Sequence, residues 1–133
     1  MMKRLLYLLL LVACSAFGAM ARDYEQVNDI SYSAKADAYS REQLKLDVYH
    51  PVDGEDCPVV IWFHGGGLDH GNKHFIRMDE SIAQVAANYR LLKKGNGLQG
   101  RACIEDAAAA VAWALDHVAA YGGDPKKVFV SGI

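Results

Sequence analysis

A buried strand that runs directly into three glycines is the feature that most constrains this chain. The stretch from Val59 to Gly67 reads Val-Val-Ile-Trp-Phe-His-Gly-Gly-Gly. Its five apolar residues predict a strand buried on both faces, as in a parallel sheet. The glycines let another molecule approach the peptide N–H groups closely. We therefore interpret the Gly65 and Gly66 N–H groups as donors to a negatively charged oxygen, with His64 and Gly67 supporting the loop.

The composition is that of one globular domain preceded by a targeting segment. The chain has 133 residues, of which 52% are hydrophobic and 23% are charged, and its net charge of −2 gives no electrostatic case for a nucleic-acid partner. Lys3 and Arg4 precede an apolar run over 5–12, and Ala19-Met20-Ala21 fits a cleavage site. These features predict a signal peptide over 1–21, a domain over 22–133 and an exported protein, periplasmic or extracellular, without a membrane span.

The cysteines leave two alternatives open. Leu11-Val12-Ala13-Cys14 resembles a bacterial lipobox, in which Cys14 would carry a lipid anchor, but the residues that follow it stay apolar instead of forming a polar tether. Cys57 and Cys103 remain after cleavage and could pair in an oxidising compartment. Nothing in the sequence brings them together, so we favour two separate buried thiols.

The pattern of apolar residues predicts an α/β fold. Strict alternation over 44–49 indicates a half-buried strand. The predicted strands cover 24–32, 44–49, 58–63, 82–89 and 128–130, with a short helix over 74–80 and a long one over 104–121. Because the later strands alternate with helices, we expect antiparallel N-terminal strands leading into a mostly parallel sheet with flanking helices.

The long helix has one predicted apolar face and defined ends. Its apolar stripe consists of Ile104, Ala108, Val111, Leu115 and Val118. Glu105 and Asp106 are placed in the first turn, where acidic groups suit the helix dipole, and glycines at 122 and 123 end the helix. We expect Asn88 and Arg90, at the end of the preceding strand, to organise the adjoining loop through hydrogen bonds.

Several stretches, taken in order, resemble the N-terminal half of a lipase/esterase-type α/β-hydrolase of the carboxylesterase and feruloyl-esterase-like kind. They are Leu46-Asp47-Val48-Tyr49 with Pro51, His64-Gly65-Gly66-Gly67, Asn88-Tyr89-Arg90-Leu91, Glu105-Asp106 with the alanine-rich run to Trp113, and Gly122-Gly123-Asp124-Pro125 with 128–132. The resemblance implies an oxyanion hole at the His-Gly-Gly-Gly motif and an acyl-enzyme mechanism that needs no cofactor. It also implies a small-molecule or polysaccharide ester as the substrate.

The same resemblance implies that the catalytic serine lies outside this chain. The family's G-x-S-x-G nucleophile elbow would begin at Gly132, with Ile133 directly before the serine. Ser131 does not fit, because the position two residues before it is Phe129. We expect a truncated α/β-hydrolase fragment that lacks the nucleophile, acid and base and is inactive by itself. The non-enzymatic alternative is an exported binding or scaffold protein.

Two further motifs suggest other chemistry. Gly95, Gly97 and Gly100 form a G-x-G-x-x-G pattern between a strand and a helix, which leaves a dinucleotide-binding protein as a weaker alternative. His70 and His74 have a spacing that binds zinc on a helix, but Gly71 interrupts the turn and we assign no metal site. Asp116 and His117 are adjacent and point to different faces of a helix, so they form no catalytic dyad.

Overall fold

Five strands form one mixed sheet in the computed structural model, which describes residues 22–133; the predicted signal segment and Cys14 lie outside this range. The strands are β1 (Tyr24–Ser31), β2 (Lys45–Pro51), β3 (Cys57–Phe63), β4 (Ala83–Ala87) and β5 (Gly123–Gly132). Their order in the sheet is β1-β2-β4-β3-β5. β2 is antiparallel to β1 and β4, whereas β3 is parallel to β4 and β5. The predicted α/β class with an antiparallel start is confirmed.

Within residues 22–133, two helices accompany the sheet. They are α1 (Ala38–Gln43) and α2 (Gly100–His117), and a 3₁₀ turn (Val118–Tyr121) continues α2. The long predicted helix is confirmed but begins four residues early, so Glu105 and Asp106 lie in its second turn. The helical segment ends at Gly122, whose φ of +76° is left-handed. The Cys57 N–H donates to the Gly122 oxygen at 2.9 Å and holds the end of the helical segment against the turn before β3. A side chain at Gly122 would therefore overlap the Gly54 carbonyl.

The helix α2 covers one face of the sheet with its smallest side chains. Ala110 and Ala114 are fully buried against the sheet core, which includes Leu46, Val48, Val59, Ile61 and Val85. The predicted apolar stripe is therefore wrong at Ile104 and Leu115, which are 71% and 47% exposed, and at Ala108, which is also exposed. The alanines let the helix approach the strands closely, and Ile104 and Leu115 are left on its outer side.

The opposite face of the sheet is covered by the chain segment that returns from β3 to β4. We call residues 72–82 the return limb; it contains no helix, so the predicted helix over 74–80 is wrong. Its backbone is held by the sheet instead, as where the Ile76 N–H donates to Gln84 Oε1 at 3.0 Å. Phe75 packs on Tyr49 with ring centroids 5.2 Å apart. Because this limb also covers Asp47, the β2 strand is buried on both faces rather than half-buried as predicted.

Two isoleucines, one in the core and one on the outer side of α2, differ in burial and provide a matched pair of variants. Ile61 is 0% exposed, so truncation to alanine leaves a cavity between the sheet and α2. We expect Ile61→Ala to lower the free energy of unfolding by about 3 kcal/mol. The matched variant Ile104→Ala should change it by less than about 0.5 kcal/mol, because that side chain is largely exposed. Urea unfolding measures both, and equal losses would contradict the packing described.

Candidate active site

The loop after β3 folds back on itself around one carbonyl group. We call residues 64–71 the glycine loop. The Gly66 oxygen accepts the N–H groups of Asp69 and His70, each at 3.2 Å. Gly66 has a φ of +127°, and a Cβ there would overlap the His70 carbonyl. Leu68, which is not a glycine, also takes a left-handed φ of +69°. Strain of this kind collects at ligand sites and persists only where the surroundings hold it.

His64 joins the loop to the segment that follows β4. Its Nδ1–H donates to the Gly65 oxygen at 2.7 Å. Its ring stacks on Tyr89 with centroids 4.6 Å apart, and the Tyr89 hydroxyl donates to the His64 oxygen at 2.7 Å. His64 is buried, and its Nε2 has no partner within residues 22–133. Among the described residues, the imidazole therefore contacts the loop backbone and the Tyr89 ring.

The N–H groups of Gly65 and Gly66 remain available at the carboxyl edge of the sheet. Within the described part of the chain neither donates to another group. The hydrogen bond from His64 fixes the Gly65 carbonyl, and a planar trans peptide then directs the Gly66 N–H the opposite way. A Cβ on Gly65 would overlap the side chain of Ile133. The end of β5 therefore lies directly beside the loop, in a register that pairs Phe63 with Gly132.

An open apolar cavity of about 590 Å³ lies next to this edge. Its lining combines the end of β3, the glycine loop, one side of α2 and the end of β5, and includes Phe63, Leu68, Cys103, Ile104, Val130 and Ile133. Burial raises the pKa of the Cys103 thiol, which donates to the Arg90 oxygen at 3.2 Å. The glycine loop thus contributes His64 and Leu68 to a surface that is mostly apolar.

The five residues after β4, 88–92, hold the glycine loop along its length. Tyr89 fixes its beginning, as described above. The Leu92 N–H donates to the Leu68 oxygen at 2.8 Å and supports the left-handed residue. The Lys73 N–H donates to Asn88 Oδ1 at 2.7 Å at the start of the return limb. The predicted hydrogen-bonding role of Asn88 is confirmed.

Arg90 fixes this segment to α2 through a buried ion pair. Its Nε and Nη2 atoms lie 2.9 Å from Asp106 Oδ2 and Oδ1, and its backbone N–H also donates to Asp106 Oδ2 at 2.9 Å. Asp106 is 1% exposed. Its hydrogen bonds raise the pKa of the Arg90 guanidinium. The predicted loop-organising role of Arg90 is confirmed, whereas Asp106 acts as its partner and not as a first-turn acid.

Sequence reasoning missed Tyr89, Lys73 and the pairing of Asp106. The sequence did contain a signal for the pairing of Asp106, because this residue lies four residues from both Ala102 and Ala110 on the small-residue face of α2. A charge on a buried face requires an opposite charge nearby. No comparable sequence pattern pointed to Lys73, whose partners come from strands far away in the chain.

The other predicted motifs occupy separate places. Gly95 and Gly97 lie in an exposed turn with positive φ, and Gly100 begins α2. His70 contacts Asp69, whereas the ring of His74 packs against Trp62. Within residues 22–133 no three His, Cys, Asp or Glu side chains are grouped to hold a metal.

Three further predictions concern His117, the two cysteines and a membrane span. His117 stacks on Trp113 and bonds its backbone, away from Asp116. Cys57 and Cys103 are free and buried, as favoured from the sequence. None of the helices described has the length and apolarity needed to cross a bilayer.

Comparison with known proteins decides the family. The family model described as "Carboxylesterase family" matches residues 12–133. The chain belongs to the carboxylesterase family. This carboxylesterase chain is 31% identical over 106 residues to phenmedipham hydrolase of Pseudarthrobacter oxydans, covering 71% of the chain and 21% of that protein. It is 30% identical over 125 residues to liver carboxylesterase B-1 of Rattus norvegicus, covering 81% of the chain and 22% of that protein.

Solved structures give the same fold. Esterase B from Lactobacillus rhamnosis superposes with a TM-score of 0.63 at 24% identity, over 90% of this chain and 39% of that one. A hyperthermophilic esterase from Pyrobaculum calidifontis superposes with a TM-score of 0.56 at 26% identity, over 83% and 35%. The fold is therefore that of the α/β-hydrolase esterases. The carboxylesterase chain spans about a fifth of the length of the curated relatives named above.

The two neighbouring acids of α2 differ sharply in their surroundings. Asp106→Asn removes the buried carboxylate that pairs with Arg90 and leaves only the half-exposed Glu105 near the guanidinium, so we expect a loss of about 3 kcal/mol in the free energy of unfolding. Glu105→Gln is the matched variant, since Glu105 lies 3.6 Å from Arg90 Nη2 and is half exposed; it should cost less than about 1 kcal/mol. Urea denaturation of both variants measures the difference. Equal effects would show that the buried pair does not anchor the segment.

The glycines of the loop differ in the space around them. A Cβ at Gly66 overlaps the His70 carbonyl, whereas a Cβ at Gly67 meets nothing within 4 Å. Both have positive φ, so Gly67→Ala should lower the free energy of unfolding by about 1 kcal/mol through backbone strain alone. We expect Gly66→Ala to be more destabilising and to shift the amide resonances of residues 69 and 70 in ¹⁵N NMR spectra. A Gly66→Ala spectrum unchanged at these amides would contradict the loop geometry.

Proposed function

We propose that this chain supplies the oxyanion-binding half of an exported serine-type carboxylic ester hydrolase. The Gly65 and Gly66 N–H groups would donate to the oxyanion of the tetrahedral intermediate. The nucleophilic serine would directly follow Ile133. Attack on the ester carbonyl gives an acyl-enzyme and releases the alcohol, and water then releases the acid. No step requires a cofactor.

One observation carries this proposal. The free N–H groups of the glycine loop and the end of β5 lie side by side, with Gly65 against Ile133. Parallel neighbours β3 and β5 bring their carboxyl ends to the same edge of the sheet, where α/β enzymes bind their ligands. A residue following Ile133 would therefore emerge next to the proposed donors. A single such donor contributes about 3 kcal/mol to transition-state stabilisation.

Exposed apolar residues support the proposal that further chain completes the enzyme. Phe129 and Val130 in the edge strand β5 are 60% and 57% exposed. Val130 and Ile104 line the open apolar cavity described above. Edge strands with exposed apolar side chains are normally paired or covered in a native protein. In the proposed enzyme this surface would pack against segments that carry the serine, the acid and the base.

The substrate class follows from the relatives by analogy. Phenmedipham hydrolase and the carboxylesterases are named for hydrolysis, and one solved structure holds Esterase B inhibited by a tributyrin phosphonate. We propose a small ester as the substrate, with esterified polysaccharides as the alternative. Export rests on the predicted signal peptide over 1–21, with lipidation at Cys14 as the alternative.

The test compares the 133-residue chain with the product of the reading frame extended to its next stop codon. We expect the extension to begin with Ser-x-Gly and the longer protein to hydrolyse p-nitrophenyl butyrate. Replacing that serine with alanine should lower kcat on the order of a million-fold. The 133-residue chain should release no p-nitrophenol above the buffer rate.

Three outcomes decide against parts of this proposal. Turnover by the 133-residue chain would refute the assigned place of the nucleophile. A frame that ends at residue 133, together with ester binding but no turnover, would favour the binding or scaffold alternative. Quenching of nicotinamide-cofactor fluorescence that depends on Gly97 would favour the dinucleotide alternative.

A further inference from the structure

Lys73 lies where the glycine loop becomes the return limb, and its ammonium is held between two carboxylates. Lys73 Nζ lies 2.8 Å from Asp29 Oδ1 and 3.0 Å from Asp47 Oδ1. The Lys73 and Asp47 side chains are 12% and 11% exposed. Asp29 belongs to β1 and Asp47 to β2, so one cation binds the loop to two strands.

The backbone of Asp29 is tied to the buried Asp47 carboxylate, whereas the Asp29 side chain itself is 71% exposed. Asp29 has a left-handed φ of +57° at an irregularity of β1, and its N–H donates to Asp47 Oδ1 at 2.8 Å. Burial opposes the charge on Lys73, but hydrogen bonds to the two carboxylates outweigh it and raise the pKa of the ammonium. The hydrogen bond from Lys73 lowers the pKa of Asp29. Both shifts favour the charged forms of Lys73 and Asp29.

The backbone of Lys73 is held as well. Its N–H donates to Asn88 Oδ1, and Asn88 Nδ2 donates to Asn72 Oδ1 at 2.8 Å. Since Asn88 directly follows β4, residues 72 and 73 are attached to the sheet by backbone and side chain together. A segment held at both levels has little freedom to move relative to the strands.

A short path leads from this anchor to the proposed oxyanion donors. Gly71, two residues before Lys73, packs so closely on His64 and on the Gly65 carbonyl that a Cβ at Gly71 would overlap both. The Gly65 carbonyl belongs to the same peptide as the Gly66 N–H. The hydrogen bond from His64 and the packing of Gly71 both hold this peptide, so a displacement of residues 72 and 73 would remove one of its two supports.

We propose that Lys73 is a positioning residue for the oxyanion hole, acting by fixing the carboxyl end of the glycine loop to β1 and β2. This inference rests on the proposed function for its catalytic meaning. In the proposed ester hydrolysis, Lys73 touches no reacting atom. Its effect passes through Gly71 to the peptide between Gly65 and Gly66.

The test uses ¹⁵N-labelled full chain and four variants. Lys73→Met removes the charge and keeps the apolar stem, Lys73→Arg keeps a cation, and Asp47→Asn removes one carboxylate. Lys94→Met is the matched control, because Lys94 is exposed and has no ion pair within residues 22–133. The first measurement is hydrogen exchange of the Asp69 and His70 amides, which report the turn around Gly66.

We expect these two amides to exchange about tenfold faster in Lys73→Met, because hydrogen bonds to a charged group are lost and the turn opens locally. Exchange at Ile61 in the core should not change. Lys73→Arg should restore most of the protection, and Lys94→Met should match the parent chain. Exchange at residues 69 and 70 that is the same in Lys73→Met and Lys94→Met would overturn the proposal.

The second measurement is titration with sodium butyrate, whose carboxylate resembles the oxyanion. We expect the Gly65 and Gly66 amides of the parent chain to shift, and Lys73→Met to weaken butyrate binding at least threefold while Lys73→Arg restores it. If butyrate shifts neither amide resonance of the parent chain, the oxyanion assignment fails, but the exchange data still test whether Lys73 holds the loop. If Lys73→Met does not fold, Asp47→Asn must show the faster exchange, and its absence there would equally overturn the proposal.

Discussion

The buried pair of Arg90 and Asp106 is the contact on which the rest of the site depends. Asp106 takes both the guanidinium and the backbone N–H of Arg90, so it fixes the direction of the chain after β4 as well as one side chain. That segment in turn supplies Tyr89 and Leu92 to the glycine loop and Asn88 to the return limb. A loop with several left-handed residues has no regular hydrogen bonding of its own, and these neighbours replace it.

The glycine loop and the return limb form one continuous unit with two roles. Its first part presents peptide N–H groups at the carboxyl edge of the sheet. Its second part covers the face of the sheet that α2 leaves open, through the contacts of Lys73, Phe75 and Ile76. Because the same segment buries the sheet and shapes the site, local stability and site geometry are coupled.

Local patterns predicted the strands and the long helix, since apolar runs and glycine stops act over a few residues. They failed where distant parts of the chain decide the outcome. The segment over 74–80 contains helix-compatible residues but bonds to β4 instead, and Asp47 lies on an apparent solvent face that Lys73 covers. The stripe through Ile104 and Leu115 is a regular helical pattern, yet the smaller alanines meet the sheet. At the site, the His-Gly-Gly-Gly motif was readable, whereas its supports Tyr89 and Lys73 were not.

In the proposed enzyme, the Gly65 and Gly66 amides would converge on the oxyanion of the tetrahedral intermediate formed beside Ile133. A crystal structure of the longer gene product inactivated by a butyl phosphonate ester tests it most directly, because the phosphonyl oxygen occupies the oxyanion position. We expect this oxygen to lie about 3 Å from both glycine nitrogens. A phosphonyl oxygen bound by other donors, with the two amides facing away from it, would show that the glycine loop is not the oxyanion hole.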